Sequence, residues 1–156
     1  MNNPEVVMIG LGYIGLPTAA LIAEGGTQVH GVDINQNVVD TINRGEIHIV
    51  EPSLDKSVSN AVSKGFLKAA TTPVEANTYL IVVPTPFKDK NEPDISFVQA
   101  ATTAILPLLK EDDLYIIEST SPIGTTEKMM TYIYEERPDL DGKLHKIVDI
   151  GLSIGV

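Results

Sequence analysis

The sequence predicts a doubly wound α/β domain, in which a mostly parallel β-sheet lies between two layers of helices. Short β-branched runs that are typical of buried parallel strands alternate with amphipathic segments along the chain. The first junction between such a run and a helical segment is also rich in glycine. The chain has 156 residues, of which 43% are hydrophobic, and this is enough for one domain over residues 1–156.

The pattern predicts the elements in order, each bounded by glycine, proline or polar residues. Strands are predicted in six segments: 6–10, 27–33, 66–73, 78–86, 112–122 and 145–152. Helices are predicted in five segments: 12–26, 35–45, 53–65, 96–110 and 124–138. We expect the first helix to bury Ile14, Ala19, Leu21 and Ile22, and Ser53 to cap the third. Strands that alternate with helices pair in parallel through right-handed crossovers.

One apolar segment, "VVMIGLGYIGLPTAALIAEGG" (6–26), is long enough to span a bilayer and carries almost no charge. Its glycines and its proline would weaken a membrane-spanning helix. The residues before it, "MNNPE", contain no lysine or arginine and therefore do not resemble a secretion signal. We expect neither a membrane segment nor a secretion signal, and we expect a cytoplasmic protein.

The charge balance narrows the class of partner. The formal net charge is −10, so the field of the protein repels polyanions and argues against a nucleic-acid partner. A phosphate ligand would have to be bound by local dipoles. The sequence contains no cysteine, and its three histidines do not have the spacing of metal ligands, so we expect no metal site.

The junction at residues 10–15 has the pattern G-x-G-x-x-G. At a turn from a strand into a helix, Gly10 makes the sharp turn, Gly12 lets the backbone approach a pyrophosphate, and Gly15 lets helix and strand touch. The start of the helix then offers free N–H groups to the phosphates. With a strand before it and a helix after it, this pattern predicts a Rossmann-like dinucleotide-binding site.

Asp33 ends the second predicted strand, about twenty residues after the glycines, where a carboxylate accepts hydrogen bonds from an adenosine ribose. An alternative role for Asp33 is to cap the next helix, although Asn35 is also suited to that role. A carboxylate at this place repels the 2′-phosphate of NADP, and Arg44 lies at the far end of the following helix. The predicted cofactor is therefore NAD.

Two further loops leave the carboxyl ends of strands, where ligands of such sheets bind. In "PTPF", two prolines hold the loop stiffly and leave Thr85 to offer its hydroxyl to the cofactor. The loop "STSPIGTT" is rich in hydroxyl groups, and Thr125 there is an alternative helix cap. The predicted cofactor contacts in these loops are Thr85, Pro86, Ser119, Thr120 and Thr126.

The chain closely resembles the amino-terminal, NAD-binding domain of the UDP-glucose/GDP-mannose dehydrogenase family in four segments: "GLGYIGLPTAA", "GVDINQNVVDTINRGEIHIVEP", "VPTPFK" and "ESTSPIGTTEKM". Together these cover nearly the whole chain to about residue 140. The segments "GEIHIVEP" and "VPTPFK" are more similar to the branch that oxidises UDP-N-acetyl-D-mannosamine than to the branch that oxidises UDP-glucose.

The resemblance implies an activity and a set of contacts. Members of this family oxidise the C6 alcohol of a sugar nucleotide to a carboxylate with two NAD+, through a cysteine-bound thioester. In enterobacteria the product of the UDP-N-acetyl-D-mannosamine branch feeds the synthesis of a surface polysaccharide. Thr120 matches a family threonine that helps to hold the catalytic water or the substrate. The implied NAD contacts are Tyr13, Ile14, Asp33, Thr85 and Thr126.

The family's catalytic residues are not matched. Its nucleophilic cysteine, its catalytic lysine and its UDP-sugar pocket lie in a central helix and a second domain, which have no counterpart in these 156 residues. The tail after about residue 140 departs from the family, with "VDIGLSIGV" near the expected "C-P-E-R" segment. Because family members dimerise through the central helix, we expect this chain to be a monomer or a weak dimer.

Two hypotheses about function stay open. The chain is either the cofactor half of a UDP-sugar dehydrogenase, for UDP-N-acetyl-D-mannosamine or another UDP-sugar, or a non-catalytic NAD-binding module. A third hypothesis, a short single-domain reductase, requires a Tyr-x-x-x-Lys pair. Tyr115, Tyr132 and Tyr134 have no lysine four residues on, which argues against it.

Overall fold

The computed structural model describes residues 3–89 and 92–145. Within these residues five strands form one sheet: β1 (Val6–Ile9), β2 (Val29–Val32), β3 (Leu67–Ala70), β4 (Thr78–Ile81) and β5 (Leu114–Ile117). Five α-helices accompany them: α1 (Gly15–Glu24), α2 (Gln36–Asn43), α3 (Leu54–Ser63), α4 (Ser96–Ile105) and α5 (Thr125–Glu136). A short 3₁₀ helix, Pro138–Leu140, follows α5. The predicted alternation of strands and helices is confirmed.

The strand order is β3-β2-β1-β4-β5, so the chain winds outward from β1 in both directions. All four strand pairs are parallel, and Val6 lies beside both Val29 of β2 and Thr78 of β4. The order reverses between β1 and β4. In such sheets ligands bind at this switch point, outside the carboxyl ends of the strands. The predicted doubly wound fold is confirmed.

The sixth predicted strand, 145–152, lies outside the described residues except for His145. His145 forms an isolated parallel bridge with Leu114, the first residue of β5. The N–H of His145 also donates to the carbonyl oxygen of Asp113 at 3.0 Å. The described chain therefore ends beside the outer edge of β5.

Two apolar cores lie on the two faces of the sheet. One packs beneath α1, α2 and α3 and includes Met8 and Leu16, both fully buried. The other packs beneath α4 and α5 and includes Val7 and Tyr79, also fully buried. Since both faces of β1 are covered, its sequence is continuously apolar instead of alternating.

The buried face of α1 differs from the predicted one. Ala19 is buried and Ile22 partly buried as expected, but Ile14 and Leu21 are 57% and 70% exposed. Gly15 brings the helix so close to the sheet that the facing side chains are mainly small; the buried residues of α1 are Gly15, Leu16, Ala19, Ala20 and Ala23. Within residues 3–89 and 92–145, no helix has the length and apolar character needed to cross a membrane.

The two expected helix caps have different outcomes. The Asn35 side chain accepts a hydrogen bond from the N–H of Asn37 at 3.0 Å and caps α2, so this alternative is confirmed. Ser53 precedes α3, but its hydroxyl makes no capping bond. Its φ of 65° is left-handed, whereas a capping side chain reaches the helix from an extended backbone. The predicted role of the Ser53 side chain is wrong.

The Asn43 side chain, at the end of α2, covers the outer edge of β3. Its amide donates to the carbonyl oxygen of Ala69 and accepts from the N–H of Ala69, both at 2.9 Å. In the described part of the chain, β3 has only β2 as a neighbour in the sheet. The side chain of Asn43 therefore takes the place of one residue of a further strand.

Candidate cofactor-binding site

Two glycines fix the turn from β1 into α1. Gly10 has a φ of +101°, which strains any L side chain, and its N–H donates to the carbonyl oxygen of Val32 at 2.8 Å. A Cβ at Gly10 would lie 2.2 Å from the carbonyl oxygen of Val82, and a Cβ at Gly15 would lie 1.8 Å from that of Gly10. The sharp turn and the close approach predicted for these glycines are confirmed.

The same turn leaves backbone donors free. A Cβ at Gly12 would meet no atom within 4 Å, so this backbone faces open space. In the described part of the chain, the N–H groups of Gly12, Tyr13 and Ile14 have no acceptor, and α1 has no side-chain cap. Free N–H groups at the positive end of a helix dipole attract anions, so this place is suited to a phosphate.

Asp33 follows β2 and binds the glycine turn. Its Oδ2 accepts from the N–H of Leu11 at 3.2 Å, and its Oδ1 accepts from the N–H of Asn35 at 2.9 Å. The side chain therefore connects the turn after β1 with the turn before α2. Each carboxylate oxygen keeps a further lone pair for a ligand hydroxyl.

Side-chain hydroxyls connect the loops after β4 and β5. Ser119, 7% exposed, donates its hydroxyl to the carbonyl oxygen of Val83 at 2.9 Å. Thr85 donates its hydroxyl to the carbonyl oxygen of Thr120. These contacts bring Thr85, Ser119 and Thr120 together, and the hydroxyls of Thr85 and Ser119 donate to protein atoms. Pro86 and the Thr120 side chain are exposed beside them.

Thr125 and Thr126 begin α5 after Gly124, which occupies the cap position. The Thr125 hydroxyl donates to the carbonyl oxygen of Pro122 at 2.8 Å. It therefore stabilises the loop before α5 and does not cap the helix. The Thr126 Oγ1 is buried and has no hydrogen-bond partner among the described residues. An unpaired buried hydroxyl at the carboxyl edge of the sheet is open to a ligand group.

Glu118 is the functional candidate that the sequence pattern does not reveal. It follows β5 directly, and its N–H donates to the carbonyl oxygen of Ile81 at 2.9 Å. Its side-chain Oε2, however, is buried without a partner among the described residues, and this burial raises the pKa of Glu118. Only its place at the end of a buried strand, one residue before a hydroxyl-rich loop, signals it in the sequence.

The described residues contain no group of three or more His, Asp or Glu side chains that could bind a metal ion. What the carboxyl edge offers is a set of backbone N–H groups near Gly12, the carboxylates of Asp33 and Glu118, and the hydroxyls of the β5–α5 loop. This set can bind a ligand with phosphates and sugar hydroxyls.

Comparison with known proteins agrees with a site for a ligand of this kind. The model of the UDP-glucose/GDP-mannose dehydrogenase family, NAD binding domain, matches residues 4–153. UDP-N-acetyl-D-mannosamine dehydrogenase of Escherichia coli (strain K12) is 60% identical over 140 residues, which are 90% of this chain and 33% of that protein. NDP-N-acetyl-D-galactosaminuronic acid dehydrogenase of Ralstonia nicotianae is 55% identical over 135 residues, which are 86% of this chain and 32% of that protein.

Two solved structures share the fold. The native structure of the UDP-N-acetyl-mannosamine dehydrogenase Cap5O from Staphylococcus aureus has a TM-score of 0.86 at 37% identity, over 97% of this chain and 37% of that chain. UDP-D-ManNAc dehydrogenase from Pyrococcus horikoshii has a TM-score of 0.86 at 33% identity, with the same coverage. The chain thus spans about a third of the length of the curated relatives it matches. It belongs to the UDP-glucose/GDP-mannose dehydrogenase family, as an NAD-binding domain with NAD as its cofactor.

Proposed function

We propose that this chain is the NAD-binding domain of a UDP-N-acetyl-D-mannosamine 6-dehydrogenase, which oxidises its substrate to the uronate with two NAD+. The uncapped, glycine-lined start of α1 at the switch point of the sheet carries the proposal, because it offers free N–H groups where a dinucleotide binds. The 60% identity to the Escherichia coli enzyme supports the choice of sugar.

The residues around β1 and β2 fit the adenosine and phosphate groups of NAD. The paired phosphates would accept hydrogen bonds from Gly12, Tyr13 and Ile14, and the absence of a side chain at Gly12 leaves room for them. Asp33 would accept the adenosine ribose hydroxyls with its remaining lone pairs. The same carboxylate would repel a 2′-phosphate, which favours NAD over NADP.

The loops after β4 and β5 would hold the nicotinamide half. The buried hydroxyl of Thr126, which has no partner among the described residues, is the strongest candidate contact, and Thr85 and Pro86 are further candidates. Ser119 would act by holding the two loops together through Val83. The exposed Thr120 side chain would position water or substrate beside the ring.

Bound NAD+ supplies a hydride acceptor for the C6 alcohol. The 156 residues contain no cysteine, so they provide no thiolate for the covalent intermediate of the second oxidation. The family model that they match is that of the NAD binding domain, so orienting a sugar nucleotide against the ring would be the role of other residues. We expect this polypeptide by itself to bind NAD without turnover.

Calorimetry and thermal unfolding with NAD test the binding proposal. We expect measurable heat and a raised melting temperature with NAD, and about tenfold weaker binding of NADP because of the charge of Asp33. An absence of both heat and thermal protection with millimolar NAD would contradict the proposed site. Equal affinity for NADP would contradict the role of Asp33.

Incubation with UDP-N-acetyl-D-mannosamine and NAD+ tests the absence of turnover. We expect no NADH absorbance above that of a Thr120→Ala control. A signal that depends on Thr120 would show that these residues suffice for catalysis and would contradict the need for a further domain.

A second candidate is the NAD-binding domain of a dehydrogenase for another sugar nucleotide, such as UDP-glucose or UDP-N-acetylglucosamine. The 55% identity to the Ralstonia nicotianae enzyme, whose name gives a different amino sugar, favours keeping a candidate of this kind. Reading the gene beyond codon 156 and assaying the encoded protein with each sugar nucleotide separates the two candidates.

The proposal has three corollaries. The protein would be cytoplasmic, since its cofactor and sugar nucleotide are cytoplasmic metabolites. Its product would feed a surface polysaccharide such as the enterobacterial common antigen. The isolated polypeptide would be a monomer or a weak dimer, and light scattering across a concentration series measures this directly.

A further inference from the structure

The position of Glu118 follows from the register of β4 and β5. Ile81 lies beside Ile117, and the N–H of Glu118 donates to the carbonyl oxygen of Ile81 at 2.9 Å. The pairing therefore continues one step beyond β5 and places Glu118 beside Val82, about 5 Å away at the usual strand spacing. Glu118 thus follows β5, one strand outward from β4, which borders the switch point.

Strand alternation gives the face on which the Glu118 side chain lies. Ile117 packs in the core beneath α4 and α5, whereas Ile116 packs against the core beneath α1. Glu118, two residues after Ile116, shares the α1 face. Val82 is in the same core, and the Cβ that Gly15 lacks would lie 3.6 Å from the Val82 Cβ. Glu118 is thus one strand outward from the residue on which the glycine turn packs.

Glu118 and Asp33 lie on opposite sides of this turn. Asp33 follows β2, on the side of the sheet where the adenosine ribose binds in this fold, and Glu118 follows β5, on the other side. Unlike Asp33, which accepts two backbone N–H bonds, Glu118 has a buried Oε2 without a partner in the described chain. Burying an unpaired carboxylate oxygen is unfavourable unless a partner arrives with a ligand.

We infer that the Glu118 carboxylate faces the nicotinamide end of the bound cofactor and favours its oxidised form. The inference rests on the proposed NAD site. The nicotinamide ring is positively charged in NAD+ and neutral in NADH, so a nearby, partly desolvated carboxylate attracts only the oxidised ring. Glu118 therefore helps the protein to bind fresh NAD+ and to release NADH after hydride transfer.

The test compares the dissociation constants of NAD+ and NADH, each measured by calorimetry, for wild type, Glu118→Gln and the control Glu135→Gln. Glu135 is exposed on the far half of α5, so its substitution changes the net charge equally without touching the carboxyl edge. We expect Glu118→Gln to weaken NAD+ binding relative to NADH by roughly three- to tenfold. Glu135→Gln should leave the ratio of the two constants unchanged.

The outcomes separate this inference from the proposed function. If wild type binds neither NAD+ nor NADH, the proposed NAD site fails. If wild type binds both and Glu118→Gln melts cooperatively with an unaltered ratio, the inference fails while the proposed function stands. An equal change in Glu135→Gln would assign the effect to overall charge and would overturn the inference too. Glu118→Asp, which keeps the charge, should retain part of the preference if Glu118→Gln misfolds.

Discussion

The turn after β1 and the loop after β5 form the two halves of one binding edge in different ways. The turn after β1 is positioned by backbone packing, because the missing Cβ atoms of Gly10 and Gly15 let carbonyl groups approach closely. The loop after β5 is positioned by side-chain hydroxyls, through Ser119 to Val83 and Thr125 to Pro122. The first half depends on excluded volume and the second on individual hydrogen bonds, so the two should respond differently to substitution.

Gly15→Ala should have the largest effect on stability. Its Cβ would lie 1.8 Å from the carbonyl oxygen of Gly10, so helix and strand would have to move apart. We expect the free energy of unfolding to fall by about 3 kcal/mol, as for other overpacked cores. Urea unfolding measures this, and an unchanged midpoint would show that steric packing does not set the turn.

Gly12→Ala is the matched control and should have a smaller, different effect. A Cβ here meets no protein atom within 4 Å, so we expect stability to change by less than about 0.5 kcal/mol. The methyl group would instead occupy space that the phosphates need, so NAD affinity should fall about tenfold or more. If calorimetry showed that Gly12→Ala binds NAD as tightly as the wild type does, the phosphates would have to bind elsewhere.

Ser119→Ala tests how much one side-chain hydrogen bond stabilises the loop after β5. Removing this donor leaves the Val83 carbonyl without its partner, and we expect a loss of about 1 kcal/mol in the free energy of unfolding. Thr126→Val serves as the comparison, since the Thr126 hydroxyl has no hydrogen-bond partner among the described residues. Denaturation curves that place Thr126→Val below Ser119→Ala in stability would contradict these roles of the two hydroxyls.

Glu118 should give the smallest effect, a dependence of stability on pH. Because burial raises the pKa of Glu118, the folded state holds this proton more tightly than the unfolded chain does. The contribution of Glu118 to the free energy of unfolding is therefore complete below its pKa in the unfolded chain, about 4.3. This contribution is lost as pH rises through the pKa of Glu118 in the folded state.

The difference in melting temperature between Glu118→Gln and wild type isolates that contribution. The difference should grow in favour of Glu118→Gln as pH rises above about 4.3. Asp94 acts in the opposite sense, because hydrogen bonds from Ser96 and the Lys88 ammonium lower its pKa to about 2. Asp94 is present in both proteins and cancels in the difference. A difference that stays constant with pH would show that Glu118 is not desolvated.

The sequence predicts the turn after β1 well, because a tight turn from a strand into a closely packed helix requires glycine at fixed positions. Gly10, Gly15 and the place of Asp33 after β2 follow from spacing alone. The inward face of α1 does not, because the packing distance fixed by Gly15 decides which side chains fit there, and hydrophobicity alone favours Ile14 and Leu21.

The loop after β5 is less predictable, since the sequence does not show which of its several neighbouring hydroxyls binds the protein and which binds a ligand. Only the folded loop shows that Ser119 and Thr125 donate to protein carbonyls, while Thr126 has no partner among the described residues. The burial of Glu118 likewise depends on a strand pairing between residues far apart in the chain. The sequence around Glu118 does not indicate which strand pairs with β5.

The side-chain amide of Asn43 has a consequence for solubility. An outermost strand with exposed N–H and C=O groups is a template for intermolecular β-pairing and aggregation. Asn43 occupies both backbone groups of Ala69, so a foreign strand that approached β3 would first have to displace it. Replacement of this one asparagine would leave the fold's interior untouched and still open that flank to self-association.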